Sequence, residues 1–514
     1  MNVAFEPWIP VVDISGKREL ASLCSVLTEG AKYADLAVRP HERVSLMRLF
    51  FCVAHAALDG PKNYDEWLEV PKKLPEAVNK YLETWKDWFE LFHEERPWLQ
   101  VSSLTPPGAD HENSLTSVSK LDFSLASALF DHQGVRNEFD YPRLILGLLT
   151  IQNFSTCGLL SQPLWNGKQT AKSAKDAPCI SSSMYHVFLV GRNMADTVHI
   201  NICDFDELAM LIKNSRPKGD WLGRPVWEKM PKSGSDTNST ETFLGRLTPL
   251  SRAVRLFPSG SKMLYGEALR YAVYPAFPQE FNTSVISKQI KGKVDRYLVG
   301  AKLNVRPWRQ LDALLQYNLL GKTPSHALNL NHLKDESIDV WVGTLIRKPG
   351  KQDILDSVES RIPISRSFRT EIGCAAYASE VKAAEDLAVR LGWAVEEYRK
   401  EIDHDWEKRL ERAKQDKWTL KEKLHSTATI YYWTTVEKNL SVLMNHINAV
   451  GSADSESTLN AWRSMLYKTS FEAYASACGQ ETPRQIRAYA RGLEILRRSK
   501  DNPDNNDEIE EEKE

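Results

Sequence analysis

The stretch Gly479-Gln-Glu-Thr-Pro-Arg-Gln-Ile-Arg-Ala-Tyr-Ala-Arg-Gly-Leu-Glu-Ile-Leu-Arg-Arg-Ser-Lys500 decides how the chain divides. Glycine closes one helical pattern, and the proline four residues on opens the next, at a position where its missing N–H costs nothing. Working backwards, Gly451-Ser-Ala-Asp-Ser455 is another such break, and no proline occurs between 371 and 482. The patterns between breaks predict helices over roughly 371–413, 417–449, 456–477 and 482–499. Four helices with short connections predict an antiparallel bundle over 366–500.

Upstream the texture is irregular. Pro40 and Gly60 bracket the apolar run Val44 to Leu58, which predicts a buried helix. Val78, Tyr81, Leu82, Trp85, Trp88, Phe89 and Phe92 recur at helical spacing and predict an amphipathic helix over 76–92. Val198, Ile200 and Ile202 alternate with polar residues, as a half-buried strand does. Stretches rich in Pro, Gly and Ser at 103–119, 161–183, 214–241 and 254–263 read as long loops, a length usually functional or disordered. The expected fold is therefore α+β: a large irregular mixed domain over 1–365, then the bundle, then an acidic disordered tail over 501–514.

The chain has 514 residues, 42% hydrophobic and 26% charged, enough for more than one core and unlike a disordered protein. No apolar run approaches the ~18–20 residues that span a bilayer, and no basic-then-apolar leader opens the chain. Seven scattered cysteines without a C-x-x-C fit neither a disulfide framework nor a thiolate zinc site, so a reducing cytoplasm is expected. The net charge of −2 hides an uneven distribution. The last fourteen residues hold eight acids and one lysine, which leaves the remainder at +5. Seven bases and one acid lie between Lys288 and Arg309, and six bases and one acid between Arg484 and Lys500. Local basic surface is what a phosphate backbone feels across a Debye length of ~8–10 Å.

Catalytic motifs are scarce. Gly167-Lys168-Gln169-Thr170 lacks the spacing of a P-loop, and no H-E-x-x-H, G-x-S-x-G or dinucleotide fingerprint occurs. Ser181, Ser182 and Ser183 lack the paired His and Asp that would mark a nucleophile. Asp403-His404-Asp405 contains the His-Asp pair of metal phosphohydrolases, with His425 and His446 as further nitrogen donors, but it sits in a charged, solvated helical pattern. The reading is therefore no enzyme, no cofactor and no metal.

Nucleic-acid features are better represented. Asn166-Gly-Lys-Gln-Thr-Ala-Lys-Ser-Ala-Lys175 combines small residues, which let the backbone approach a groove, with three lysines. Asn329 and Asn331, two apart, would share one face of a hairpin and can pair with base edges, or else stabilise a turn. Arg484, Arg487, Arg491 and Arg498 share one helix face, suited to DNA backbone or to salt bridges on the bundle exterior.

The order of motifs carries a family resemblance. Phe5-Glu-Pro-Trp-Ile-Pro-Val-Val12, Arg39-Pro-His-Glu-Arg-Val-Ser-Leu46, Lys120-Leu-Asp-Phe123, Ala128-Leu-Phe-Asp-His-Gln133, Lys168 to Pro178, Asn304-Val-Arg-Pro-Trp-Arg-Gln-Leu311, Ile338-Asp-Val-Trp-Val-Gly-Thr344 and Thr427 to Glu437 occur in sequence. Together they resemble the CasA-type large subunit of Cascade, the type I-E CRISPR surveillance complex. The resemblance implies a non-catalytic subunit of an RNA-guided antiviral complex. Such a subunit recognises the PAM, the short duplex signal beside the target. It helps open DNA for guide pairing (R-loop formation) and recruits a separate helicase-nuclease. The implied partners are guide RNA with the other Cascade subunits, target double-stranded DNA and that nuclease.

Carried over, Lys168, Gln169, Thr170, Ala171, Lys172 and Ser173 take the place of the PAM-reading loop. Lys262 stands for the lysine finger, and Asn329, then Asn331, for the glutamine wedge. Phe130 and His132 belong to the loop near the guide RNA's 5′ handle. Lys288, Lys291, Lys293, Arg296, Arg484, Arg487, Arg491 and Arg498 are expected on DNA backbone. The chain departs from the family pattern in a PAM loop with one glycine, in asparagine at the wedge, and in lacking the cysteine cluster of some members.

Overall fold

A computed structural model describes residues 1–108, 115–122, 140–212, 220–258, 261–277, 280–290, 293–315, 333, 337–348, 350–351, 353–402 and 420–497. The chain forms two compact units, Met1–Pro363 and Ile364–Glu514.

In the first unit, β1 (Ile9–Asp13) is flanked by β2 (Arg18–Ala21) and β3 (Tyr33–Leu36) in an antiparallel sheet. Helix α1 (Pro40–Leu58) follows the sequence reading, with Pro40 in its first turn and the Glu42 carboxylate accepting from the Arg39 N–H at 2.8 Å. Its residues from His41 to His55 are all buried, so it is the axis of the unit's core. Helix α2 (Tyr64–Thr84) begins well before residue 76. The Asn63 side chain caps it, accepting from the Glu66 N–H at 3.0 Å, and it runs through Pro71 and Pro75. It stops at Thr84, and the Trp88–Phe89 aromatics sit in a separate 3-10 turn. Helix α3 (Tyr141–Phe154) packs on α1.

The expected strand at 198–202 is instead helix α4 (Met194–Asn201). The Asn193 side chain accepts from the Asp196 N–H at 2.9 Å, and Asn201 donates to the Thr197 carbonyl at 2.7 Å. Val198 and Ile200 are buried through close packing on several sides, and local capping decides the element.

The unit's remaining strands form small antiparallel sheets: β4 (Leu104–Thr105) with β7 (Leu164–Trp165) and β8 (Lys168–Gln169), and β6 (Gly158–Leu159) with β9 (Ser173–Ala174). A third orders β11 (Arg252–Leu256), β12 (Lys262–Glu267) and β5 (Thr116–Ser117); β13 (Val285–Ile290) and β14 (Lys293–Leu298) make a ribbon. The longest sheet orders β10 (His186–Val190), β15 (Ser337–Arg347) and β16 (Ile354–Ser365), with Phe188 opposite Trp341.

The second unit is the expected bundle. Helices α5 (Glu371–Ile402), α6 (Leu420–Lys438), α7 (Leu440–Ala449), α8 (Ser455–Ala477) and α9 (Pro483–Arg497) form four rods, because α6 and α7 are one predicted helix broken at Asn439. Trp462, Tyr432, Tyr474 and Tyr398 fill the core, and each tyrosine hydroxyl donates to a carbonyl: Tyr432 to Ala384, Tyr398 to Gly479, Tyr474 to Tyr489. Gly492 lets α9 approach α5 closely, since a Cβ there would lie 2.5 Å from the Ala394 carbonyl. Among the described residues no helix is long and apolar enough to cross a membrane. The acidic tail lies outside the described residues.

Candidate nucleic-acid interface

The segment read as a loop at 166–175 is the outgoing half of a β-hairpin that starts at Gly158. Asn166 (φ +48°) and Gly167 (φ +76°) form its tip, the left-handed pair that an Asn-Gly hairpin turn requires. Behind the tip, Leu164 pairs with Gln169 and Trp165 with Lys168. The Thr170 N–H donates to the Pro163 carbonyl at 3.0 Å, and the Leu160 N–H to the Lys172 carbonyl at 2.9 Å. Gly158–Leu159 then pairs with Ser173–Ala174. Trp165 is buried and joins the hairpin to β4, whereas Lys168, Gln169, Lys172 and Ser173 are exposed. Beneath it lies Gly266, where a Cβ would meet Pro163 and Thr170 within 3 Å.

Buried charge fixes the foot of this hairpin. Arg252 and Glu267, with side chains 1% and 3% exposed, pair at 3.1 Å. Arg252 also donates to the Thr156 carbonyl at 2.9 Å and the Lys175 carbonyl at 2.8 Å, one on each arm. Glu267 accepts from the Lys175 N–H at 3.0 Å and pairs with Arg270. Burial pushes the Glu267 carboxyl upward, opposed by Arg252. On the same foot Arg347 pairs with Asp176, which accepts from the Cys157 N–H at 2.8 Å. Both of these acids at the foot are thus occupied. Among the described residues neither Lys168 nor Lys172 has an acidic partner, and their charge faces solvent.

Other expected site residues are scattered. Lys262 is exposed at the start of β12, four residues and so ~13 Å along the strand from Gly266. Lys288, Lys293 and Arg296 lie on the β13–β14 ribbon, whose backbone register sets position 288 opposite 295 and position 287 opposite 296. That ribbon is rooted beside β10 through the Tyr185 N–H and Val299 carbonyl at 3.0 Å. In the bundle, Arg484 donates to the Glu401 carbonyl at 3.0 Å and Arg491 pairs with the Glu401 carboxylate, so both are held by α5. Arg487 is exposed. Phe130, His132, Lys291, Asn329, Asn331 and Arg498 lie outside the described residues, as do His404 and Asp405. His425 lies 3.1 Å from Glu396, and His446 lies 3.3 Å from the Thr458 hydroxyl.

Two features of the site have no counterpart in the sequence reading. The β15–β16 turn, with Lys348 N–H donating to the Asp353 carbonyl at 3.0 Å and Gly350 at φ +68°, is set against the hairpin foot by Arg347. Its Lys-Pro-Gly-Lys run is a readable turn signal. The second feature, Arg270 with Lys232 beside the hairpin tip, leaves no local signal, because its parts are far apart in sequence.

An α+β unit that displays an exposed cationic hairpin, together with a separate helical bundle, is the class of fold that the chain defines. The model of the family described as CRISPR-associated protein Cse1 matches residues 2–473. The chain belongs to this family, the CasA/Cse1-type large subunits of type I-E Cascade. It is 26% identical over 426 residues to the CRISPR-associated protein CasA/Cse1 of Thermus thermophilus, covering 78% of each chain. Its fold is similar to the crystal structure of Thermus thermophilus CasA (TM-score 0.75, 22% identity, 96% of this chain and 98% of that one). It is also similar to Thermobifida fusca Cse1 (TM-score 0.75, 17% identity, 96% and 97%). A chain of a structure described as a CRISPR RNA-guided surveillance complex is similar too (TM-score 0.70, 20% identity, 96% and 99%).

Proposed function

We propose that this Cascade subunit recognises the PAM of double-stranded DNA through the 158–174 hairpin and promotes guide pairing. In this reading it is non-catalytic, acts in the cytoplasm with guide RNA and the other subunits, and recruits a separate helicase-nuclease. The observation that carries the reading is the hairpin itself: exposed lysines without acidic partners among the described residues, on a tip whose foot is held by the buried Arg252–Glu267 pair and by Arg347–Asp176. A rigid, small-residue tip suits minor-groove contact, where readout is degenerate and several PAM sequences are tolerated. Sequence choice falls to the guide, whose pairing nearly balances the DNA duplex it replaces.

The strand-separating role has two candidates, Asn329 and the β15–β16 turn. The turn is favoured by position, through the Arg347–Asp176 pair, and its sequence contains a glutamine, Gln352, the residue type the resemblance implies. The test uses assembled Cascade and PAM-bearing duplex. Lys168→Ala is expected to weaken capture and lower the salt slope by about one phosphate contact, and Lys351→Ala to slow strand opening more than capture. An unchanged slope for Lys168→Ala removes the hairpin from the reading.

A further inference from the structure

A cleft of about 380 Å³ at the hairpin tip is lined by Lys168 and Gln169 of the hairpin, and by a second wall to which Lys232, Ser233, Gly234 and Arg270 contribute. The two walls are coupled, because the Asn166 side-chain amide donates to the Lys232 carbonyl at 2.9 Å. Arg270 is tied to the hairpin as well, donating to the Ser173 carbonyl at 3.0 Å.

The cleft's charge is one-sided. Among the described residues three cations line it against a single carboxylate, Glu267, which is buried and occupied by Arg252, Arg270 and the Lys175 N–H. The one aromatic among those lining residues, Trp165, is 7% exposed and committed to the sheet, so it offers no ring for stacking a base. Cations, a serine hydroxyl and a glycine that leaves its backbone open are the groups that bind phosphate oxygens.

We infer that Lys232, Ser233 and Gly234, with Arg270, hold one sugar–phosphate strand of the duplex against the hairpin, as a contact that positions DNA without reading its sequence. This rests on the reading that the hairpin engages DNA, and it adds a second rail to a site so far made of one.

The test is Lys232→Ala in assembled Cascade, with Lys232→Arg as the charge-retaining control and Lys168→Ala as the arm that checks the hairpin. Binding of duplexes with and without a PAM is titrated against salt, and melting temperature confirms the fold. Removing one phosphate contact predicts a drop of about fivefold near 0.15 M salt, equal for both duplexes, with a slope lower by ~0.9. Lys232→Arg is expected to restore binding. If Lys168→Ala weakens binding while Lys232→Ala changes neither affinity nor slope, the inference falls and the hairpin reading stands. A loss confined to the PAM-bearing duplex overturns it too, since a backbone contact cannot distinguish them. If Lys168→Ala is also silent, the hairpin reading is what has failed.

Discussion

The hairpin at 158–174 and helix α9 are both basic in sequence, yet the fold treats their charge in opposite ways. At the hairpin, the acids at the foot, buried Glu267 and half-buried Asp176, are spent on Arg252 and Arg347, so the tip lysines keep their charge for solvent. On α9 the half-buried Glu401 of the neighbouring helix holds both arginines, its carboxylate pairing with Arg491 and its backbone carbonyl accepting from Arg484. Counting bases measures neither outcome. What matters is where the acids lie, which is a property of tertiary packing.

The sharpest way to break this comparison is to remove the buried acid from the hairpin's foot. Glu267→Ala leaves Arg252 buried without its counter-charge, at an expected cost of about 3–5 kcal/mol. Chemical denaturation should show that loss, and DNA capture should fall with it, because the Thr156 and Lys175 arms lose their clamp. A near-normal midpoint would mean the foot is not what holds the hairpin.

Next in size is the double change Lys168→Ala with Lys172→Ala. With two phosphates no longer neutralised, binding near 0.15 M salt should weaken about thirtyfold and the slope should fall by ~1.8. Arg484→Ala with Arg491→Ala is expected to change binding far less, although the same number of positive charges is removed. Equal losses in the two pairs would erase the distinction between occupied and available charge.

How much of the molecule is legible in its sequence follows the same division. Bundle helices, the buried α1 and the boundaries at Gly451 and Pro483 are written locally, in periodicity and caps. The strand expected at Val198 to Ile202 is wrong because alternation describes a face, while Asn193 and Asn201 are the residues that fix the backbone. The small-residue loop stands out as a candidate site but not as a hairpin, although Asn166-Gly167 is a turn signal, since strands of two residues carry no period to detect. The contacts that tie the rest of the foot and the second wall to the hairpin join residues 66 to 190 positions apart, and no window along the chain contains them.

Acid sharpens the contrast within the bundle. Glu396 is held down to about 2, first by its hydrogen bond from Arg399 and also by His425 and Lys421, and so bridges α5 to α6. A depressed carboxylate contributes stability above its unfolded value near 4.5 that is lost as pH falls toward 2. Because the site is partly exposed and screened, the contribution is about 1 kcal/mol. Glu396→Gln should therefore melt lower than wild type at pH 7, with the gap closing below about pH 4.5. A gap independent of pH would assign the loss to packing.

The smallest effect is the most discriminating. Arg487 and Arg491 are exposed, four residues apart on one helix, and differ in one respect: Arg491 is paired with Glu401, and among the described residues Arg487 has no acidic partner. Exposed pairs contribute about 0.2–1 kcal/mol, so Arg491→Ala should lower the melting temperature slightly and leave the salt slope of DNA binding alone. Arg487→Ala should do the reverse if α9 meets DNA, leaving stability unchanged and reducing the slope by less than one contact. Should both variants leave the slope untouched, the helix is a salt-bridged exterior, and the available charge of the molecule is that of the hairpin and its cleft.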